Sequence, residues 1–190
     1  MTAAPPLPRF VEMSVDDLQP RLHEALDIYV TAMRYPIGTA SQRAPMWLSH
    51  MQREHWRCVA ALGSDNTLLG ICYGYQGSSG QWWHEQVRRG LLSRLGPPAV
   101  DRWMRHYFEL TELHVRPDAQ GQGIGEELLR RLLHVVATTT TLRTTLLSTP
   151  EGPTKAWRLY RRTGFVDVLR HYLFSGDPRQ FAVLGHDLPL

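Results

Sequence analysis

Apolar residues in the first part of the chain recur at spacings that separate helices from strands. Between residues 22 and 33 they stand three or four positions apart, which predicts an amphipathic helix closed by the Pro-Ile-Gly at 36–38. Two apolar runs flank the turn residues at 63–66, which predicts a β-hairpin. The expected elements here are a strand over 9–14, helices over 22–33 and 45–54, and hairpin strands over 56–62 and 68–75.

The second part of the chain shows the same alternation of strand and helix patterns. Before it, residues 76–104 form a long segment in which Trp83, Val87 and Leu91 recur at i+4 spacing, which predicts a helix that ends at the Gly-Pro-Pro of 96–98. So much chain between two strands indicates an insert with its own structure. Further on, the patterns predict a strand over 107–115, a helix from 124, a strand over 144–149, a helix over 155–163 and strands over 165–174 and 180–184.

A loop with three alternating glycines joins the strand over 107–115 to the helix that follows it. Gly121, Gly123 and Gly125 allow turns that other residues rarely adopt, and the helix start adds unpaired N–H groups and the positive end of the helix dipole. Together these features predict an anion cradle, most naturally for phosphates. A Walker loop needs Gly-Lys-Ser/Thr, and the dinucleotide fingerprint needs G-x-G-x-x-G on a first strand. Neither motif is present.

The composition is that of one globular domain. The chain has 190 residues, 43% of them hydrophobic, which suffices for a sizeable core and predicts a single domain over 1–190. Cys58 and Cys72 lie inside apolar strand-like runs and are expected to be buried packing thiols. The formal charge of +3 suits a polyanionic ligand or nucleic acid, and charge alone does not choose between them.

The N-terminal segment lacks the basic start and apolar stretch of a signal peptide. No run approaches the roughly 20 apolar residues of a membrane span. We therefore expect a soluble, cytoplasmic protein without a membrane partner.

Two motifs resemble those of the GNAT superfamily of acyl-CoA-dependent N-acyltransferases. The first is Gln120-x-x-Gly123-x-Gly125 with its following helix. The second is the run over 156–165, Ala-Trp-Arg-Leu-Tyr-Arg-Arg-Thr-Gly-Phe, which is similar to the family's A-x-x-x-Y-x-x-x-G-F signature. The predicted order of elements is similar to the family's over essentially the whole chain. The resemblance implies an α/β fold of the GNAT type, with a mixed sheet and a helical insert over 76–104 before the central strand.

The resemblance also implies that acetyl-CoA is the acyl-donor substrate. The backbone of Leu113 and Val115 would pair with the acyl carbonyl and the pantetheine arm. Glu126 would lie just inside the helix, and the pyrophosphate would be held by Gln120, Gly121, Gln122, Gly123, Ile124 and Gly125. Pro153 departs from the family, which often has a cofactor-contacting asparagine there, and this leaves the contact to Thr154 or Lys155.

Acyl transfer to an amine needs a neutral amine, and an amine with a pKa near 10.4 costs about 4 to 5 kcal/mol to deprotonate at pH 7. Glu109 and Glu112 are candidate bases: the first matches the base position of histone-acetylating relatives, and an acid at the second position is common in the superfamily. Side chains alternate along a strand, so at least one of the two should be an exposed or ion-paired carboxylate. His114 is a further candidate base. Tyr160 occupies the position whose hydroxyl often protonates the departing thiolate, and no metal is implied.

The sequence thus predicts an N-acetyltransferase that moves an acetyl group from acetyl-CoA to a primary amine by direct attack, with a strand carboxylate or water as base and Tyr160 as acid. The acceptor can be a small molecule or a protein amine, the acyl group acetyl or larger, and the protein a monomer or homodimer. An alternative is an acyl-CoA sensor without turnover. A nucleic-acid binder would explain neither motif, so no nucleic-acid partner is expected. Within the insert, one of Trp82 and Trp83 is expected to anchor it and the other to face the acceptor. The alternatives are that both tryptophans are anchors or that the insert forms a dimer contact.

Overall fold

The computed structural model describes residues 7–190, which contain seven α-helices and seven strands. The helices are α1 Val15–Leu18, α2 Leu22–Met33, α3 Thr39–Met51, α4 Trp82–Arg94, α5 Pro97–Met104, α6 Ile124–Thr139 and α7 Lys155–Arg162. The strands are β1 Arg9–Met13, β2 Arg57–Leu62, β3 Leu68–Gln76, β4 Tyr107–Val115, β5 Thr144–Pro150, β6 Val166–Tyr172 and β7 Phe181–Asp187. The order of elements is the predicted one, with α1 and α5 as additions.

The strands of the described range form a seven-stranded mixed sheet in the order β1-β2-β3-β4-β5-β7-β6. The pairs β1–β2 and β2–β3 are antiparallel, β4–β5 is parallel, and β5–β7 and β6–β7 are antiparallel. A parallel pair needs a crossover connection, which α6 supplies between β4 and β5. The predicted α/β class with a mixed sheet is confirmed.

Contacts along the chain group it into two compact units. The first comprises the chain up to Gly74 together with Thr111–Leu132, and the second comprises Tyr75–Leu110 together with Leu133–Leu190. The strands β3 and β4 and the helix α6 therefore each contribute residues to both units.

In the first unit, the β2–β3 hairpin is almost completely buried. Gly70 lies where an added Cβ would stand 3.0 Å from the carbonyl oxygen of His114 and 3.0 Å from Leu128 Cδ1, so only glycine lets the backbones approach this closely. Cys58 and Cys72 are buried free thiols, as the sequence predicts. Burial raises the pKa of both thiols, so they pack as small apolar side chains.

The predicted bounds of α3 were wrong. It begins at Thr39 rather than Pro45 and ends at Met51 rather than Glu54. Proline favours the first turn of a helix, but Pro45 lies in the interior of α3 and is exposed, where it removes one backbone hydrogen bond. The predicted apolar face is confirmed for Trp47 and Met51, which are buried.

In the second unit, the insert over 76–104 forms two helices where the sequence predicts one. The predicted end of the first helix is confirmed, because α4 stops at Arg94 and Gly96 adopts a positive φ of 81°. Pro97 then occupies the first turn of α5, a position that proline favours. The core here is formed by α4, α5 and the strands β4 to β7, with buried side chains from Val87, Leu91, Met104, Tyr107, Leu146, Leu169 and Val183.

The end of α7 is a Schellman motif. Gly164 has a φ of 89°, its N–H donates to the Arg161 carbonyl at 3.2 Å, and the Phe165 N–H donates to the Tyr160 carbonyl at 3.0 Å. The predicted helix stop at Gly164 is therefore confirmed. The last two strands are shifted by one to three residues from the predicted bounds, at Val166–Tyr172 and Phe181–Asp187. Among the helices of residues 7–190, none has both the length and the apolar character required to cross a membrane.

Candidate active site

The glycine loop follows β4 directly. After Val115 the Arg116 N–H donates to the Leu69 carbonyl at 2.8 Å, and a single 3-10 turn over Pro117–Ala119 leads into the glycines. The helix α6 then starts at Ile124. The chain thus leaves the strand, turns once and enters a helix, as the sequence predicts.

Two glycines of this loop are required by backbone conformation and not by lack of space. Gly121 and Gly123 have φ of 83° and 81°, and an added Cβ on either would meet no atom within 4 Å. Side chains at positive φ are strained. Both glycines and the intervening Gln122 are exposed, whereas Ile124 is buried with 2% exposure. The loop therefore presents backbone to solvent while Ile124 fixes the helix start to the core.

Hydrogen bonds set the position of the loop at both ends. The Gln120 Nε2 donates to the Val115 carbonyl at 3.0 Å, and the Glu127 N–H donates to the Gly123 carbonyl at 3.1 Å. The N–H groups of the first helical turn have no acceptor within the helix and lie at the positive end of its dipole. This arrangement suits the oxygens of a phosphate or pyrophosphate. Glu126 in this turn forms an ion pair with Arg130, at 3.0 Å.

In the first unit, Glu112 and His114 form a pair on β4. Oε2 of Glu112 and Nε2 of His114 are 2.5 Å apart, and the two side chains are 13% and 10% exposed. The Tyr29 ring of α2 meets the His114 ring edge-on, with centroids 5.1 Å apart. Burial and then the charge of Glu112 raise the pKa of Tyr29. Glu112 is therefore a carboxylate with a hydrogen-bond partner on its own strand, the His114 imidazole.

In the second unit, Glu109 has a different environment. It is 4% exposed, and the Tyr75 hydroxyl donates to its Oε1 at 3.1 Å. Close by on β4, the Tyr107 hydroxyl lies 3.0 Å from Nδ1 of His84. The sequence does not predict that Tyr75 lies beside Glu109 or that Tyr29 lies beside the Glu112–His114 pair. A tyrosine in an apolar run carries no signal of the carboxylate near which it will lie.

Tyr160 lies on α7 in the second unit and is 7% exposed. Its ring packs against Phe165 with centroids 5.5 Å apart. The Thr154 side chain caps the helix by accepting from the Trp157 N–H at 3.0 Å, and the exposed Pro153 offers its carbonyl to Arg158 at 2.9 Å. Thr154, one of the two residues expected to replace the family's asparagine contact, thus holds the N-terminus of α7.

The two tryptophans of the insert have distinct environments. Trp83 is half-buried, donates from Nε1 to the Ser148 Oγ at 2.9 Å and packs on the core of the second unit. Trp82 is 56% exposed and meets only one ring in the described range, Phe174, at 5.8 Å. Trp83 is therefore the anchor that the sequence predicts, and whether Trp82 faces an acceptor stays a prediction.

Residues 7–190 hold no group of three or more His, Cys, Asp or Glu side chains arranged to bind a metal ion.

The comparisons with known proteins agree with this geometry. Residues 22–165 match the model of the acetyltransferase (GNAT) family. A GCN5-like protein acetyltransferase of Mycobacterium tuberculosis is 48% identical over 206 aligned positions, covering 95% of this chain and 98% of the relative. The chain belongs to the GNAT acetyltransferase family.

Solved GNAT structures share the fold at low sequence identity. A GNAT-family protein from Desulfovibrio desulfuricans has a TM-score of 0.67 at 14% identity, over 95% of this chain and 98% of that one. Spermidine N-acetyltransferase of Vibrio cholerae, solved with CoA and spermine, has a TM-score of 0.60 at 15% identity, over 95% of each chain. The chain is accordingly an acyltransferase with a GNAT fold, and the family uses acetyl-CoA. The exposed backbone of Gly121 and Gly123 at the start of α6 fits the phosphates of that donor.

Proposed function

We propose that residues 1–190 act as one N-acetyltransferase domain that moves an acetyl group from acetyl-CoA to a primary amine by direct attack. The proposal rests on the loop after β4, where Gly121 and Gly123 at positive φ expose backbone at the N-terminus of α6. Phosphates bind at such helix starts. A family match over residues 22–165 supports the same donor.

The donor is bound, in this proposal, along β4 and the loop. The backbone of Leu113 and Val115 pairs with the acyl carbonyl and the pantetheine arm. The pyrophosphate is held by Gln120, Gly121, Gln122, Gly123, Ile124, Gly125 and Glu126, the last through its backbone, since its carboxylate already pairs with Arg130.

Proton transfer completes the reaction. The acceptor ammonium loses a proton to a base on β4, for which Glu109 and Glu112 are the candidates, directly or through water. The neutral amine attacks the thioester carbonyl, the C–S bond breaks, and Tyr160 protonates the leaving thiolate. The partial burial of Glu112 beside His114 and the burial of Tyr160 on α7 are consistent with these roles.

The acceptor is an amine of a protein or of a small molecule. The relative from Mycobacterium tuberculosis is named a protein acetyltransferase, and the neighbour from Vibrio cholerae is named for spermidine. A panel of N-terminal peptides, lysine peptides and polyamines, assayed for acetylated product, tests the proposal. Binding of acetyl-CoA without product from any amine in the panel would favour a sensor instead.

Tyr160→Phe tests the acid. Because the hydroxyl acts mainly as charge develops on sulfur, the variant should lose about 10- to 1,000-fold in kcat with little change in acetyl-CoA affinity by calorimetry. The matched control is Tyr172→Phe, which removes another buried hydroxyl of the second unit, one that donates to the Gln86 carbonyl, and should keep the wild-type kcat. Turnover of Tyr160→Phe at the wild-type rate, under conditions where chemistry limits, would reduce Tyr160 to a packing residue.

A further inference from the structure

We propose that His114 is the base that takes the proton from the acceptor amine, and that Glu112 is the residue that positions it. This inference rests on the proposed function and replaces a strand carboxylate acting alone with a histidine–carboxylate pair. The observation behind it is the contact of Glu112 Oε2 with His114 Nε2 on one face of β4.

The register of β4 creates the pair. Residues two apart on a strand point to the same face, so Glu112 and His114 stand side by side while Leu113 points the other way. Their atoms Oε2 and Nε2 lie 2.5 Å apart, and neither side chain is more than 13% exposed. Because both side chains are mostly covered, solvent screens the electrostatic interaction between them less than it screens a surface ion pair.

The contact fixes which nitrogen of His114 can act. An ionised carboxylate only accepts hydrogen bonds, so Nε2 carries the hydrogen that Glu112 accepts. In the neutral ring Nδ1 then has the free lone pair. The hydrogen bonds of residues 7–190 give Nδ1 of His114 no partner, and 10% of the side chain is exposed. The free nitrogen is therefore the one available to an incoming proton.

The groups around the pair favour proton transfer at His114. The ring edge of Tyr29 from α2 faces His114 at 5.1 Å and holds the imidazole plane. Burial keeps the Tyr29 hydroxyl neutral by raising its pKa, and Arg43 of α3 and Tyr35 act on it more weakly. From β3, the Cys72 thiol is kept neutral by burial, which raises its pKa, with added effects of Cys58 and Glu112. Glu112 is thus the charged group nearest to His114 among these neighbours.

The proposed step balances in protons and electrons. Nδ1 of His114 accepts a proton from the acceptor R–NH3+, which gives R–NH2 and an imidazolium stabilised by the Glu112 carboxylate. The amine nitrogen lone pair forms the C–N bond to the thioester carbonyl carbon, and the C–S bond then breaks with its electron pair on sulfur. The nitrogen's second proton is lost to solvent as the amide forms, and His114 returns its proton to solvent. Tyr160 protonates the thiolate and regains a proton from solvent, so one turnover releases one proton.

The test compares His114→Gln with Glu112→Gln on the full chain. His114→Gln should lower kcat/KM about 100-fold or more. The fall of wild-type kcat/KM at acidic pH, which this base causes, should be absent from the variant. Glu112→Gln keeps an oxygen for the Nε2 hydrogen but loses the negative charge that stabilises the imidazolium, so it should lower kcat/KM about tenfold.

A readout independent of turnover follows from the tautomer. Nitrogen NMR of the free protein should show His114 protonated at Nε2 and bare at Nδ1 at neutral pH, and Glu112→Gln should make the tautomers mix. Calorimetric binding of acetyl-CoA checks that each variant is folded. The matched control is His171→Gln, which removes the exposed histidine of a His–Glu pair with Glu151 in the second unit and should keep wild-type kinetics.

Two results would overturn the inference while leaving the acetyltransferase intact. One is a His114→Gln variant with wild-type kcat/KM and an unaltered pH profile. The other is a loss in Glu112→Gln that exceeds the loss in His114→Gln, which would make Glu112 the direct base. If the wild-type protein acetylates no amine, the proposed function itself fails, and this outcome is distinct from both.

Discussion

Within β4, the first four residues are buried and the last five are each partly exposed. The first part belongs to the second unit and contains Glu109, whose carboxylate receives the Tyr75 hydroxyl. The second part belongs to the first unit, pairs Glu112 with His114 and leads into the glycine loop. One strand thus carries two glutamates three positions apart that have unlike surroundings.

The difference shows that one residue type has different roles in buried and in partly exposed surroundings. Glu109 and its hydrogen-bond donor Tyr75 are both buried, so a change there disturbs packing first. Around Glu112 and the loop, side chains and backbone keep some contact with solvent, so a change there affects binding and turnover first. Substitutions chosen in matched pairs can sharpen or break this contrast.

The largest effect is expected at Gly77, beside the buried part of β4. An added Cβ would lie 1.8 Å from Tyr107 Cζ, and the Tyr107 ring cannot retreat because it is fully buried and its hydroxyl contacts His84. Gly77→Ala should therefore lower the free energy of unfolding by about 3 kcal/mol, measured by urea denaturation.

The control is Gly80→Ala, where φ is 87° and no atom lies within 4 Å of the added Cβ. It should cost only the strain of a left-handed residue, about 1 kcal/mol. Equal losses in the two variants would mean that steric contact with Tyr107 is not what fixes Gly77.

The next effect is expected in the glycine loop. Gly123→Val forces a β-branched residue into positive φ and should displace the N–H groups proposed to bind the pyrophosphate. Acetyl-CoA affinity should then fall about 100-fold or more, as expected for the loss of two hydrogen bonds to charged oxygens. Gly125→Val should also weaken binding. Isothermal calorimetry measures both.

Gly176→Val is the control that separates backbone strain from location in the glycine loop. Gly176 also has a φ of 87° and open space around an added Cβ, but it lies outside the loop. The variant should retain the wild-type affinity for acetyl-CoA. If Gly123→Val and Gly125→Val retain it too, the loop is not the pyrophosphate site.

The smallest effect separates the two glutamates. Glu112→Gln should lower kcat/KM about tenfold at nearly constant Tm, whereas Glu109→Gln should lower Tm with a smaller loss of kcat/KM, because Glu109 is 4% exposed and hydrogen-bonded to Tyr75. Steady-state kinetics and thermal denaturation of both variants measure this. A greater kinetic loss in Glu109→Gln would reverse the contrast and identify Glu109 as the base.

The sequence by itself determined the features that depend on neighbours along the chain. The strand, loop and helix around the glycines, the helix stop at Gly164 and the hairpin over 56–75 were all predicted, because backbone conformation at glycine and the period of apolar residues are local properties. The order of elements followed from these, and two motifs in the sequence resembled those of the GNAT family. Pro45 was the exception, since the preference of proline for a first turn is only a tendency, and α3 begins before it, at Thr39.

Only the tertiary structure decided which side chains meet. That Glu109 receives the Tyr75 hydroxyl and that Tyr29 lies against His114 depends on strands and helices far apart in sequence, and no local pattern encodes such a pairing. The Glu112–His114 contact depends on both the sequence and the tertiary structure. Alternation along β4 places the two residues on one face. Their burial comes from the elements packed around them, and it makes the contact matter for proton transfer. Burial sums over many distant residues, and for this reason the fold had to be known before the two glutamates could be told apart.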